Sequence, residues 1–207
     1  MKLIRPVVIA ARPGIITPML GGIAGMLLMF ATLMVGPVIG LPVIDIPRAL
    51  GGVFFADRDT AFFFGFWVFF FGGALVFPIV FGLLWPVLRI GGTGFFSTVA
   101  RGVIWGLMLW FLTGVVLWIA GLLNQLDARY LREPGFFALR LGMAGGLTLV
   151  LVHVLYGLAI GLVSFMAVNI LPFETVGWTD YWKAELPPAS SLYEPEGFPE
   201  YPSVGNR

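Results

Sequence analysis

Four long apolar runs govern what this chain can fold into. Residues 15–36 (IITPMLGGIAGMLLMFATLMVG), 61–88, 95–123 and 136–171 are each mostly apolar, the last with its apolar centre at 142–168. Crossing a bilayer as a helix takes roughly 20 such residues, because in lipid every backbone amide must find its partner inside the segment. The expectation is an all-α integral membrane four-helix bundle over residues 1–171. The three later runs exceed the minimum, so tilt or ends projecting into water are expected. Composition agrees. Of 207 residues, 59% are hydrophobic and 11% charged, against about 25% charged in soluble domains, and the mean hydropathy is +0.97. Such a chain cannot cover itself with polar surface, so most of that surface faces lipid or protein.

The N-terminus carries Lys2, Arg5 and Arg12 ahead of the first run, as a signal peptide does. The run that follows is too long and lacks a polar, small-residue cleavage region, so a retained helix is expected. There are no cysteines, which excludes disulfides, thiolate metal sites and Cys nucleophiles. A net charge of +1 implies no nucleic-acid partner.

Within the runs, small residues recur four apart: Gly21 and Gly25, Gly102 and Gly106, Gly142 and Gly146, Gly157 and Gly161. Small residues let helix backbones approach closely where apolar burial offers little gain, so these pairs are the expected packing positions. Pro78 lies inside the second run and predicts a kink. No convincing repeat relates the two halves, which removes one transporter signature.

Two segments lie between or beyond the runs. In GLPVIDIPRALGGVFFADRD (40–59), Asp45 is placed to cap a short helix with Pro47 near its first position. Ala49, Leu50, Val53 and Phe54 would share one face. The prediction is an interfacial helix over about 46–55, with Arg48 a surface anchor rather than half of a buried ion pair, since burying ions is costly. Thr60 is positioned to cap the second span. From 172 to 207 the chain becomes charged, Pro-rich and aromatic, with Trp178, Tyr181, Trp182, Tyr193, Phe198 and Tyr201. It reads as an extended extramembrane tail that wraps a partner and orders on binding, with Trp178 and Trp182 also suited to a membrane interface. Four spans place both termini on one side, and the positive-inside rule puts that side in the cytoplasm by a small margin.

Chemistry is sparse. The single histidine, His153, falls near the middle of span four, where an ionisable group is a functional hypothesis by default. It relays a proton, contacts a quinone or haem edge, or simply bonds a neighbouring carbonyl. Tyr156, three residues on, shares its face. One histidine cannot supply both axial ligands of a bis-His haem. Arg101 and Arg140 lie near span ends, from which their heads can snorkel to the interface. Asn124, Gln125 and Asp127 read as a solvated helix end, and Asn169 likewise. The spans hold no chain of acids for an ion path. No Walker loop, GxGxxG, HExxH or Ser/His/Asp set is present, so neither an enzyme nor a metal site is expected, and no cofactor beyond structural lipid.

The elements DIPRALG, GFWVFFFGG, RGVIWGLMLW and HVLYGLAIG resemble, in that order, an uncharacterised family of small four-helix prokaryotic membrane proteins. Its pattern runs D-[IL]-x-x-x-LG, GWxxHFxxG, RGxxFGxxxW and HxxYGxxxG, and the likeness covers about residues 20–165. Asp45, Leu50 and Gly51 match the first element. Arg101, Gly102, Gly106 and Trp110 match the third, and His153, Tyr156, Gly157 and Gly161 the fourth. In the second, Gly65, Phe70 and Gly73 fit, while Phe66 and Phe69 replace its Trp and His. A role needing two facing histidines therefore does not carry over from the resemblance. Some members look similar to proteins encoded beside terminal oxidase components. The resemblance thus implies a non-catalytic accessory subunit of a respiratory electron-transfer complex (cytochrome oxidase or an associated quinol-oxidising complex) in a prokaryotic inner membrane, with other membrane subunits and lipid as partners. Two alternatives stand beside it: a small transporter or channel with His153 in its path, and a subunit contacting quinone or pigment in a photosynthetic assembly.

Overall fold

The computed structural model describes residues 15–88 and 94–169, and every regular element within them is helical. In chain order these are α1 (Ile16–Val35), α2 (Ile46–Gly51), α3 (Arg58–Phe71), α4 (Phe77–Leu84), α5 (Phe95–Leu123) and α6 (Met143–Asn169). A π-helical turn, Gly72–Val76, joins α3 to α4 without a break. Four stretches are long and apolar enough to cross a membrane, Ile16–Ile39, Arg58–Leu84, Phe95–Leu123 and Met143–Ala167, which points to a multi-pass membrane protein. The tail, with Trp178, Tyr181, Trp182, Tyr193, Phe198 and Tyr201, lies outside the described residues, as do Lys2, Arg5, Arg12 and Arg89.

The spans run antiparallel, and close backbone approach sets their pairing. α6 lies between α1 and α5. A Cβ placed on Gly21 would sit 2.8 Å from the Cα of Ile160, and one on Gly25 would meet the Tyr156 ring. On the other side Gly102 and Gly106 face Gly157, Gly161 and the carbonyl of His153, at virtual Cβ distances of 2.2–2.7 Å. The predicted packing glycines are therefore contact points, three of the four pairs meeting along α6. The fourth pair is a correction. Gly142 has φ 86° and stands in a turn before α6, with open space around it, so Gly142 and Gly146 do not form a helical stripe.

That turn is the main departure from expectation. The predicted fourth span began at 136, yet Phe136–Leu141 is a tight 3-10 turn in which Phe137 and Ala138 take left-handed backbone angles, φ 50° and 59°. Left-handed backbone costs a non-glycine residue about 1–2 kcal/mol. The Phe137 ring offsets it by filling the notch above Gly114, 4.7 Å from the Trp110 ring centre. Tertiary packing thus overrides an apolar run that reads as helix.

Span two also differs from an uninterrupted helix. Pro78 has no N–H, and the ladder accommodates this one turn earlier by widening to π geometry, where the Phe77 amide bonds the Gly72 carbonyl. A wide turn therefore stands next to the proline at which a kink is expected. α1 fits against it: Gly22 abuts Pro78, and Met26 fills the space beside Gly73. The helix ends at Leu84 rather than 88.

The short linker helix is α2, ending at Gly51 rather than about 55. Asp45 caps it as expected, its carboxylate accepting the Arg48 amide at 3.0 Å. α2 packs one side onto α3. Ile46, Pro47, Ala49 and Gly51 are buried, and its backbone docks on α3. A Cβ on Gly51 would reach 1.8 Å from the Ala61 carbonyl oxygen, and one on Gly65 would reach 1.9 Å from that of Pro47. α3 is capped by Asp57, whose carboxylate accepts the Thr60 amide at 2.9 Å. Thr60 is thus the recipient of the cap and not its source.

Candidate functional site

His153 lies on the α5-facing side of α6 and is 4% exposed. Its Nδ1 is 2.8 Å from the Leu149 carbonyl, one turn back. A carbonyl only accepts, so Nδ1 carries the proton and Nε2 is the acceptor. The donor to Nε2 is the Thr113 hydroxyl of α5, 3.0 Å away. Both ring nitrogens are therefore engaged, one within α6 and one across to α5. Thr113 was not singled out from the sequence. The available signal was its place seven residues after Gly106, two helical turns along the face that approaches α6.

Tyr156 shares the helix but points elsewhere. Its ring fills the gap over Gly25 of α1, and its hydroxyl donates to the Gly73 carbonyl at 2.5 Å. The reason lies in the wide turn. The Phe77 amide, the α-helical partner of that carbonyl, is bonded to Gly72, and the next residue, Pro78, has no amide to offer. A buried unpaired carbonyl is expensive, and Tyr156 supplies the missing donor from another helix. The structure therefore does not bring His153 and Tyr156 to one cavity. It uses them as two cross-ties from α6, one to α5 and one to span two.

Arg101 corrects another expectation. It does not reach out to the interface: it is 6% exposed, and its guanidinium lies 4.4 Å from the centre of the Trp85 ring, a desolvated cation–π contact. The buried aromatic cluster extends through Phe81 to Trp105. Arg140, by contrast, is exposed and pairs with Glu133.

At the opposite end of the bundle the linkers interlock. Arg48 is not a surface anchor: it forms a half-buried ion pair with Asp45, with its guanidinium 5.0 Å from the Phe62 ring centre. Asn124 and Gln125, expected to be solvated, instead hold the first linker. Asn124 donates to the Ala49 carbonyl at 3.2 Å, and Gln125 donates its side chain to Val53 and its amide to Gly52, both at 2.8 Å. Asp127 caps the following turn through the Arg129 amide and side chain. Those two bonds hold its carboxyl below the ordinary carboxylate range. Among the described residues, no three His, Asp or Glu side chains cluster as metal ligands. The side chain of Asn169 and the tail aromatics fall outside the described residues. No protein-family model, curated protein or solved structure matches the chain.

Proposed function

We propose that this protein is a non-catalytic accessory subunit of a membrane respiratory electron-transfer complex, a cytochrome oxidase or an associated quinol-oxidising complex, acting in assembly and stability. The observation that carries the reading is the use of the intramembrane polar groups. His153 engages both ring nitrogens and Tyr156 its hydroxyl in bonds that tie helices together. A haem ligand or proton relay needs a ring nitrogen open to its partner, so the geometry favours a scaffold over a redox or transport path. The respiratory assignment rests on the ordered resemblance of the four sequence elements. The tail, 172–207, supplies the aromatic grip on an extramembrane partner surface.

The test is purification of the tagged full chain in gentle detergent, with intact-complex mass and a haem spectrum read together. Haem-containing partners are expected with the intact chain, and their yield is expected to fall when 172–207 are deleted. A lone monomer without haem partners would overturn the proposal. His153→Ala is expected to leave the partners' haem spectrum unchanged; a shifted spectrum in an intact complex would instead assign His153 a cofactor contact.

A further inference from the structure

The interlocked linkers line an open pocket of about 360 Å³ at the loop end of the bundle, at the small end of ligand-sized sites. Its lining is two-faced. Asp45, Arg48, Tyr130 and Arg132 supply polar groups, while Val43 and Leu141 supply apolar ones. Within the polar set the Asp45 carboxylate is engaged, one oxygen accepting the Arg48 amide and the other its guanidinium. The Nε–H of Arg48 is buried and has no hydrogen-bond partner among the described residues. Arg132 is exposed and forms no ion pair among them. The lining therefore keeps one net positive charge, carried by the exposed Arg132, and a phenol, beside an apolar flank.

We propose that this cavity seats a phosphate-type oxyanion of single charge, the phosphodiester of an anionic membrane lipid headgroup. Arg132 binds its oxygens, and Val43 and Leu141 take the glycerol end. Guanidinium donors suit such an oxyanion because several N–H groups meet several acceptor oxygens at fixed spacing. The site is pre-organised. Asn124 ties to Ala49 just past the 42–48 wall, and it also accepts the Leu126 amide leading into the 130–132 wall. Little ordering is left for the ligand to impose. The four long helices place the cavity where span ends meet the linkers, which is the level of lipid headgroups. This inference is independent of the respiratory reading.

The experiment uses the delipidated full chain in detergent, titrated with phosphatidylglycerol, phosphatidylcholine or inorganic phosphate, with native mass spectrometry and thermal unfolding as readouts. Phosphatidylglycerol is expected to bind more tightly than phosphatidylcholine and to raise the unfolding temperature. Arg132→Gln is expected to weaken it about tenfold, the loss of one charge-assisted bond. Arg129→Gln, an exposed arginine paired outside the cavity, is expected to change it less than about twofold. Competition by inorganic phosphate at similar concentration would support the site's chemistry and assign its source to soluble phosphate. Equal losses in both variants, or wild-type binding by a folded Arg132→Gln protein, would overturn the proposal. Circular dichroism establishes folding, and Arg132→Lys, expected to fall between wild type and Gln, separates charge from fold.

Discussion

One hydroxyl does work at Tyr156 that no sequence rule assigns to it. Pro78 leaves the Gly73 carbonyl without a helical partner, and the Tyr156 hydroxyl, 83 positions on in sequence, takes it. Tyr156→Phe keeps the ring over Gly25 and removes only that bond. The expected cost is about 1–3 kcal/mol, the cost of a buried unpaired acceptor, read as a lower unfolding temperature in detergent. An unchanged temperature would mean that the carbonyl finds another donor. Thr113→Val tests the second tie in the same way: it removes the donor to the His153 ring at nearly constant volume and is expected to cost about 1 kcal/mol. Much of this was legible beforehand, and some was not. That Gly157 and Gly161 are packing positions on the span that carries His153 and Tyr156 follows from their spacing. The partners do not, because a threonine inside an apolar helix and a glycine carbonyl freed by a distant proline carry no local signature. The same limit explains Arg101, whose position near a span end is consistent with snorkelling until Trp85 is seen beneath it.

At the scale of elements, α2 and α3 are joined by backbone rather than by side chains. Pro47 and Gly65, and Gly51 and Ala61, approach too closely for an added methyl. Gly65→Ala must push the two helices apart and is expected to destabilise by about 1–3 kcal/mol. Gly72→Ala, in the same span, meets only the Phe77 ring at 3.6 Å and is expected to be tolerated. Equal effects at both positions would deny that the close approach matters. The start of α3 adds a pH dependence. The Thr60 backbone bond, then its side chain, holds the Asp57 carboxyl below its ordinary value of 3.8. A carboxyl depressed in the folded state contributes stability above the unfolded value and loses it as pH falls through the folded one. The first turn of α3 is therefore intact at neutral pH and loosens on acidification below 3.8. Faster amide exchange at Thr60 in acid, normalised for intrinsic rate, is the expected observation, and Asp57→Asn, which still caps, should flatten it. The linker sequence announced its cap at Asp45 and its start at Pro47. It hid its docking, because apolar residues on a two-turn helix look alike whether they meet lipid or another helix. The turn at 136–141 was hidden for a related reason: FFALRL has helical composition, and only the notch at Gly114 makes a left-handed Phe137 favourable.

For the whole molecule, the antiparallel contacts set the ends of the bundle. Gly21 meets Ile160, Gly82 lies near Pro18, and Phe95 stacks edge-on against Phe165, so the start of α1, the end of α4, the start of α5 and the end of α6 share one end. The linkers 36–57 and 124–142 share the other. Orientation then depends on which end keeps its cations inside. Arginines flank both ends in similar number, but the burial of Arg101 against Trp85 removes it from the loop charges of the terminal end. Arg89, between the second and third spans, and Lys183, after the fourth, remain at that end, with Lys2, Arg5 and Arg12 directly ahead of the first span. The charge flanking the first helix usually dominates, and acids at the far end count for little. Both termini are therefore expected in the cytoplasm. A fluorescent protein fused after Arg207 should glow and an alkaline phosphatase fused there should be inactive, whereas phosphatase inserted in the 127–133 linker should be active. Replacing Lys2, Arg5 and Arg12 with glutamine should weaken this bias, because the first span would then carry no flanking cation on that side to oppose Arg48 and Arg58 on the other. If the triple variant keeps the wild-type reporter pattern unchanged, the orientation is instead fixed by the later spans, with Arg129, Arg132 and Arg140 held outside despite their charge.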